Sequence, residues 1–148
     1  MDRFFKGLLS GMAGGLVMDL WGFLVKDLLR IATRNYVDWA SVTIYGYLPT
    51  NFSESLFAFG THLLWTGFLG IALAYLLPRL SSQGYRIKGA FFGFIIGFFI
   101  YGIAILFRMP FFTKIPFPTS VSNAIGGLLW GVITAHLLGW LERKEKIQ

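Results

Sequence analysis

Four long apolar stretches constrain the fold of this chain more than any other feature. They are Gly7–Val25, Leu56–Leu77, Gly89–Phe107 and Val121–Leu141. Each reaches the roughly 20 residues that a helix needs to cross the apolar core of a bilayer. Because lipid offers the backbone no hydrogen bonds, stretches this long and continuous are expected to be helices. The sequence therefore predicts an all-α, polytopic membrane protein: a four-transmembrane-helix bundle forming a single membrane domain over residues 1–148.

The composition agrees with a membrane protein and argues against a nucleic-acid partner. Apolar residues make up 55% of the chain and charged residues only 14%, and the mean hydropathy is +0.64. The net charge is +6, but the basic side chains are confined to the ends of the apolar stretches. That placement indicates orientation in a membrane, since a nucleic-acid surface needs basic residues that follow the phosphates. The lipid bilayer is thus the expected partner.

The basic residues also predict which side of the membrane holds the termini. The N-terminal tail, the second loop and the C-terminal tail lie on one side and carry eight: Arg3, Lys6, Arg79, Arg86, Lys88, Arg143, Lys144 and Lys146. The other side carries five: Lys26, Arg30, Arg34, Arg108 and Lys114. Because cytoplasmic loops carry the excess of lysine and arginine, both termini are predicted to be cytoplasmic.

The two loops on the predicted outer side differ in composition. Residues 26–55 contain aromatic side chains suited to the headgroup level, which predicts an interfacial helix over part of Tyr36–Leu48. Residues 108–120 contain Pro110, Pro116 and Pro118, which predicts a stiff, non-helical cover. Simple anchoring at the interface and a binding role explain both loops equally well.

Asp19 is the only charged residue within the first apolar stretch. A carboxylate at such a depth costs about 2.5–3.5 kcal/mol on insertion scales, so it is expected to face the protein interior or a wet cavity. By helical rise, Asp19 and His62 both lie roughly 9 Å inside the outer ends of their helices. Two interpretations stay open: a hydrogen-bonded pair that specifies helix packing, and a proton relay.

A polar pocket that opens outward is predicted around these two residues. Asn123 lies just inside the outer end of the fourth stretch, and Arg108 closes the outer end of the third. The candidate pocket residues are therefore Asp19, His62, Asn123 and Arg108.

The motifs of common enzymes and metal sites are absent from the sequence. It contains no phosphate-binding Gly-x4-Gly-Lys-Ser/Thr, no His-Glu-x-x-His and no Gly-x-Ser-x-Gly. Its two histidines lie far apart, and it has no cysteine. We therefore expect no catalytic residue, no metal and no cofactor, and we do not expect an enzyme.

Glycines form one face of the first helix and recur in the third stretch. The two strips consist of Gly7, Gly11, Gly14, Gly15 and Gly22, and of Gly89, Gly93 and Gly97. Small residues let helices approach closely, so these glycines are predicted to be packing positions. The third stretch is the expected partner of the first, although a second copy of the chain would serve either strip. In addition, residues 62–65 echo residues 127–130, which repeated halves or the ordinary composition of membrane helices would explain.

A set of short motifs resembles one protein family. Thr61-His62-Leu63-Leu64-Trp65-Thr66, Ala74-Tyr75 before Pro78, the proline-bearing third loop and Gly126-Gly127-Leu128-Leu129-Trp130 resemble the YagU-like family of small bacterial inner-membrane proteins. Gly7-Leu8-Leu9-Ser10-Gly11 extends the resemblance to the start of the chain. Position 127 is glycine where the family pattern has histidine. The resemblance implies a multi-pass location in the bacterial cytoplasmic membrane and supplies no substrate.

Two functional hypotheses follow from the sequence. In the first, the chain is a small transport or permeation protein whose outward-facing pocket handles protons or a small cation. In the second, it is a non-catalytic accessory or assembly protein that binds membrane partners through its glycine faces and aromatic loops. A homo-oligomer is compatible with both.

Overall fold

The chain folds into helices throughout the part that the structure describes. A computed structural model describes residues 1–80 and 83–145, with only the backbone of Glu145, and Lys146 lies outside these residues. The α-helices are α1 Arg3–Phe23, α2 Tyr36–Tyr45, α3 Phe52–Leu76, α4 Tyr85–Leu106 and α5 Phe117–Glu145. A π-helical turn, Leu24–Leu28, continues α1, and a 3₁₀ turn, Leu77–Arg79, continues α3.

Four of the helices, α1, α3, α4 and α5, are long and apolar enough to cross a membrane. The prediction of an all-helical chain with four such helices is confirmed. The boundaries differ, because each helix begins four residues earlier than its predicted stretch: at Arg3, Phe52, Tyr85 and Phe117 and not at Gly7, Leu56, Gly89 and Val121. Residues 117–120 are therefore helical and do not belong to a non-helical cover. Pro118 is compatible with this start because it lies in the first turn, where the missing N–H has no helical partner to lose.

The short helix α2 forms within the region where the sequence predicts an interfacial helix. Asn35 and Asp38 cap its start, each side chain accepting a hydrogen bond from the backbone N–H of the other. Gly46 ends it in a left-handed conformation, with φ +79°. One face of α2 is buried against the bundle, including Tyr36 and Val42. It is a packed element of the bundle.

The four long helices form two hairpins joined by one close contact. In the first hairpin α1 packs against α3, and in the second α4 packs against α5. The contact between α1 and α5 joins them, and two indoles donate hydrogen bonds across it: Trp130 to the Gly11 carbonyl and Trp21 to the Ser122 carbonyl, both at 3.0 Å. Among the described residues, α3 and α4 make no comparable contact. The bundle is thus open along the side between α3 and α4.

Each end of the bundle has a distinct set of connections. The start of α1, the end of α3, the start of α4 and the end of α5 lie together at what we call the termini end. The connection that contains α2 and the connection between α4 and α5 lie at the opposite, loop end.

Glycines set the separation of the helices in the first hairpin. A Cβ atom on Gly7 would lie 2.9 Å from the carbonyl oxygen of Gly70, and one on Gly11 would lie 2.8 Å from the Cα of Gly70. The atoms in the way are backbone, which cannot move aside as a flexible side chain does. The close approach of α1 and α3 therefore requires glycine at these positions.

The second hairpin repeats this arrangement. A Cβ atom on Gly89 would overlap the carbonyl of Gly131, and one on Gly93 would overlap the carbonyl of Gly127. The predicted pairing of the two glycine strips with each other is therefore wrong. Each strip packs on the next long helix of its own hairpin, because that helix offers glycines of its own: Gly67 and Gly70 on α3, and Gly127 and Gly131 on α5.

The remaining glycines of the predicted strips also lie at contacts. Gly14 faces Trp130 of α5 and Gly15 faces Thr66 of α3. Gly22 lies against Asn35, and Gly97 lies against the Tyr36 hydroxyl. The strip on α1 therefore serves two neighbouring helices and the segment that precedes α2, which explains why its glycines cover a wide arc.

The two hairpins correspond in register, with Gly7 matching Gly89, but the echo of residues 62–65 in residues 127–130 is not in that register. The contact of Gly7 with Gly70 matches that of Gly89 with Gly131. This correspondence aligns His62 with Asn123, one helical turn from the alignment with Gly127. Both His62 and Asn123 are buried, as expected for matching positions in two similar hairpins.

Alanine substitution at a contact glycine is expected to destabilise the bundle. Gly131→Ala would place its Cβ against the Gly89 carbonyl, and such overpacking costs about 1–3 kcal/mol. Gly60→Ala is the matched control, because Gly60 lies in α3 with nothing within 4 Å of its Cβ position. Thermal unfolding of the purified protein should show a lower midpoint for Gly131→Ala only. Equal midpoints for both variants would contradict the close backbone contact.

Candidate functional site

A carboxylate and an imidazole meet inside the loop half of the bundle. Asp19 of α1 is 3% exposed and His62 of α3 is 5% exposed. His62 Nδ1 is hydrogen-bonded to Asp19 Oδ2 at 3.0 Å. It also lies 2.9 Å from Oδ1, which has no hydrogen-bond partner of its own. The structure therefore brings together the two residues that the sequence places at one depth.

The glycine contact of the first hairpin positions this pair. Gly15 precedes Asp19 by one turn of α1, and Thr66 follows His62 by one turn of α3. Gly15 leaves no room for a side chain, because its Cβ position is occupied by Thr66. The Thr66 hydroxyl donates to the Leu63 carbonyl of its own helix at 2.9 Å. At this separation of the helices the short side chain of Asp19 reaches the imidazole.

Tyr36 of α2 links the pair to the second hairpin. Its ring stacks on the imidazole of His62, with the ring centres 5.9 Å apart and the planes 8° apart. Its hydroxyl donates a hydrogen bond to the backbone carbonyl of Asn123 at 2.9 Å. Burial raises the pKa of this hydroxyl, so it stays protonated and remains a donor.

Asn123 lies near the pair but does not bond to it. Its side-chain amide donates to the hydroxyl of Tyr101 on α4 at 3.0 Å. Tyr101 and Asn123 occupy the positions in the second hairpin that correspond to Asp19 and His62 in the first. Each hairpin therefore has a polar side-chain contact at the same level, and that of the first contains a carboxylate.

A cavity of about 280 Å³ lies beside the pair, between α2, α3 and α4. Its walls are formed by Tyr36, Trp39, Ala40, Thr43, Ile44, Thr61, His62, Trp65, Ile100 and Ile103. These walls are mainly apolar and aromatic, which differs from the predicted polar pocket. Of the four candidate pocket residues only His62 lines the cavity. A much smaller cavity, of about 20 Å³, lies deeper among all four long helices, and His62 and Tyr36 line it as well.

Sequence reasoning missed the aromatic walls of this cavity. Tyr36 and Trp39 belong to a connection whose composition is typical of an interfacial anchor. Trp65 belongs to an apolar stretch, where an aromatic residue is not unusual. The available signal was Asn35 and Asp38, which begin a helix and thereby place Tyr36 in its first turn.

The structure does not bring Arg108 to the pair. Arg108 is exposed in the turn after α4, where its backbone is left-handed with φ +48°. Another basic residue at the loop end is paired: Lys26 Nζ lies 2.6 Å from Asp38 Oδ1. This ion pair ties the end of α1 to the start of α2 and leaves Asp19 with His62 as its partner.

The fold and the site together define a class of protein. The described chain has four helices long and apolar enough to span a membrane, with a buried carboxylate–imidazole pair between two of them. Residues 1–80 and 83–145 contain no group of three or more histidine, aspartate or glutamate side chains placed to hold a metal ion. Comparison of the chain with protein-family models, with curated proteins and with solved structures found no match.

Removing one member of the pair is expected to destabilise the protein more than removing both. His62→Leu leaves the Asp19 carboxylate buried without its partner, at a cost of about 3–5 kcal/mol. Asp19→Leu combined with His62→Leu removes both polar groups, and it should be the more stable variant. Unfolding of the purified variants in detergent measures this difference.

His136→Leu is the control for replacing a histidine by leucine, because His136 lies on α5 away from the pair. It should have a smaller effect than His62→Leu. A double variant whose loss equals the sum of the two single losses would contradict the direct coupling of Asp19 and His62.

Proposed function

We propose that this chain moves protons or a small cation across a membrane, with Asp19 and His62 as the groups that bind and release the proton. One observation carries the proposal. The pair is buried in apolar surroundings, yet His62 lines two cavities: a larger cavity of about 280 Å³ and a smaller cavity of about 20 Å³. Ionisable groups at membrane depth that face an internal cavity are typical of proton relays and ion pathways.

The hydrogen bond within the pair suits reversible proton binding. Because Nδ1 of His62 is bonded to Asp19, Nε2 is the nitrogen that exchanges protons with the cavities. A proton that binds there takes the pair from a net negative charge to neutrality and leaves the bond between the two residues in place.

The packing of the helices supports a pathway that is open to one side of the membrane at a time. The larger cavity lies at the loop end, and the smaller one has room for about one water molecule. Towards the termini end, the glycine contacts close each hairpin. Continuation of the pathway therefore requires the two hairpins to move relative to each other, as in transporters built from two similar halves.

Proton flux into liposomes tests this proposal. A pH gradient across liposomes that contain the purified protein should collapse faster than in empty liposomes. Asp19→Asn keeps the shape of the side chain but cannot ionise, and it should slow the flux at least about tenfold. Asp27→Asn, at an exposed acid in the turn after α1, is the matched control and should leave the flux unchanged.

Equal flux for the wild type and Asp19→Asn would overturn the role of the pair. Absence of flux from the wild type, tested with protons, alkali cations and common anions, would overturn the transport function. Thermal unfolding of each variant confirms that its fold is intact.

The outer face of α4 favours a second candidate function. In the apolar 18-residue segment of α4 only 22% of the residues are buried, against 39% in the corresponding segment of each of the other three spans. Exposed phenylalanines cover this face: Phe91, Phe94, Phe98 and Phe99. A membrane partner or a second copy of the chain packed there would make this an accessory or assembly protein. A well-folded wild type without flux would favour this function.

We also propose that the termini end lies in the cytoplasm, in the inner membrane of a bacterial cell. The termini end carries more basic residues than the loop end, and at the loop end Lys26 is neutralised by Asp38. The absence of cysteine makes the test direct. In intact cells a membrane-impermeant maleimide should label Ser53→Cys at the loop end. It should label Gln83→Cys at the termini end only after permeabilisation, and the reverse pattern would contradict the orientation.

A further inference from the structure

The larger cavity has a size and walls that a proton pathway alone does not require. Its volume of about 280 Å³ is close to the lower end of the range for ligand pockets. The rings of Tyr36, Trp39 and Trp65 line it, together with isoleucines from α2 and α4. Clefts with such walls are typical of sites for small, largely apolar molecules.

The cavity is placed so that a molecule dissolved in the bilayer can reach it. It lies where α3 and α4 make no close contact, and both are membrane-spanning candidates. Trp65 of α3 and Ile103 of α4 line it and are 48% and 43% exposed. A ligand can therefore enter sideways between these helices without crossing a polar surface.

The charge beside the cavity selects the kind of ligand. No lysine or arginine lines the cavity, and Asp19 is bonded to the His62 imidazole that forms part of its wall. With a neutral imidazole, the pair has a net negative charge and no counter-charge in apolar surroundings, which is unfavourable. Lys26 does not provide that counter-charge, because it is bonded to Asp38. A cation in the cavity would.

We propose that this cavity binds a small apolar organic cation of the ammonium type, taken from the bilayer. The proposal rests on the proposed function, since the pair that binds the proton is the pair that attracts the cation. Aromatic walls stabilise such a cation through their ring faces. An inorganic cation is disfavoured, because it needs several oxygen ligands and the aliphatic hydroxyls in these walls are only those of Thr43 and Thr61.

Protons should compete with the organic cation for this site. Binding of a proton neutralises the pair and removes the charge that attracts the cation. Charged or titratable groups in the loop half of the bundle include Tyr36 and Asp38 on α2, Lys26 after α1 and Tyr101 on α4. Asp38 is held by Lys26 and by the cap of α2, and both tyrosine hydroxyls make hydrogen bonds. The pH dependence is therefore assigned to Asp19 and His62.

Equilibrium dialysis of the purified protein with radiolabelled benzyltrimethylammonium tests this proposal. This probe keeps its charge at every pH, so any pH dependence belongs to the protein. Binding should weaken as the pH is lowered, because protons compete with the probe for the same pair. Unlabelled neopentylbenzene has the same shape without the charge, and tetramethylammonium has the charge without the ring. Each should compete at least about tenfold less well than unlabelled benzyltrimethylammonium.

Variants locate the bound probe. Asp19→Asn should weaken binding at least about tenfold, and Ile103→Trp, which fills the cavity, should do so without changing the pair. Asp27→Asn should bind as the wild type does. Equal competition by the neutral and the charged probe would overturn the proposal, as would unchanged binding in Ile103→Trp. The comparison of probes uses the wild type, so it stands even if Asp19→Asn fails to fold.

The outcomes also separate this inference from the transport function. Proton flux without probe binding would leave the transport function standing and reject the organic cation. Probe binding without flux would confirm the site and reject transport.

Discussion

The close contact of backbone with backbone at the glycines of each hairpin is the constraint on which the rest of the structure depends. In lipid, apolar side chains gain nothing by leaving hydrocarbon for each other, so packing and hydrogen bonds must hold the helices together. Gly11 and Gly70 remove the side chains that would keep α1 and α3 apart. At that separation Asp19 reaches His62. A wider spacing would leave the carboxylate in the membrane without its partner.

The sequence predicts the part of this arrangement that depends on length and periodicity. Unbroken apolar stretches determine the four long helices, and a constant rise per residue places Asp19 and His62 at one depth. The sequence does not predict which helix each glycine strip contacts, because such a strip can pack against any helix face of small residues. Gly7 could have met Gly89 as well as Gly70, and nothing in the local sequence separates the two.

The cavity and the position of Arg108 depend on connections, whose course no periodic pattern determines. Tyr36 and Trp39 enter the bundle because a capping box begins α2 at that point. Arg108 itself has a left-handed backbone conformation after α4, and its side chain is exposed. Through Tyr36, α2 contacts the imidazole of the first hairpin and the backbone of the second. Movement of one hairpin against the other would therefore change the contacts that Tyr36 makes with His62 and Asn123.

The two hairpins are similar, but the contacts between them are not symmetric. A twofold rotation that exchanged the hairpins would exchange α1 with α4 and α3 with α5, and would turn the contact between α1 and α5 into one between α4 and α3. The first contact is made, and the second is left open where α2 packs. Only the first hairpin has a helix in its connection, so the departure from symmetry originates in that connection. The chain thereby keeps an opening towards the lipid without giving up a contact inside either hairpin.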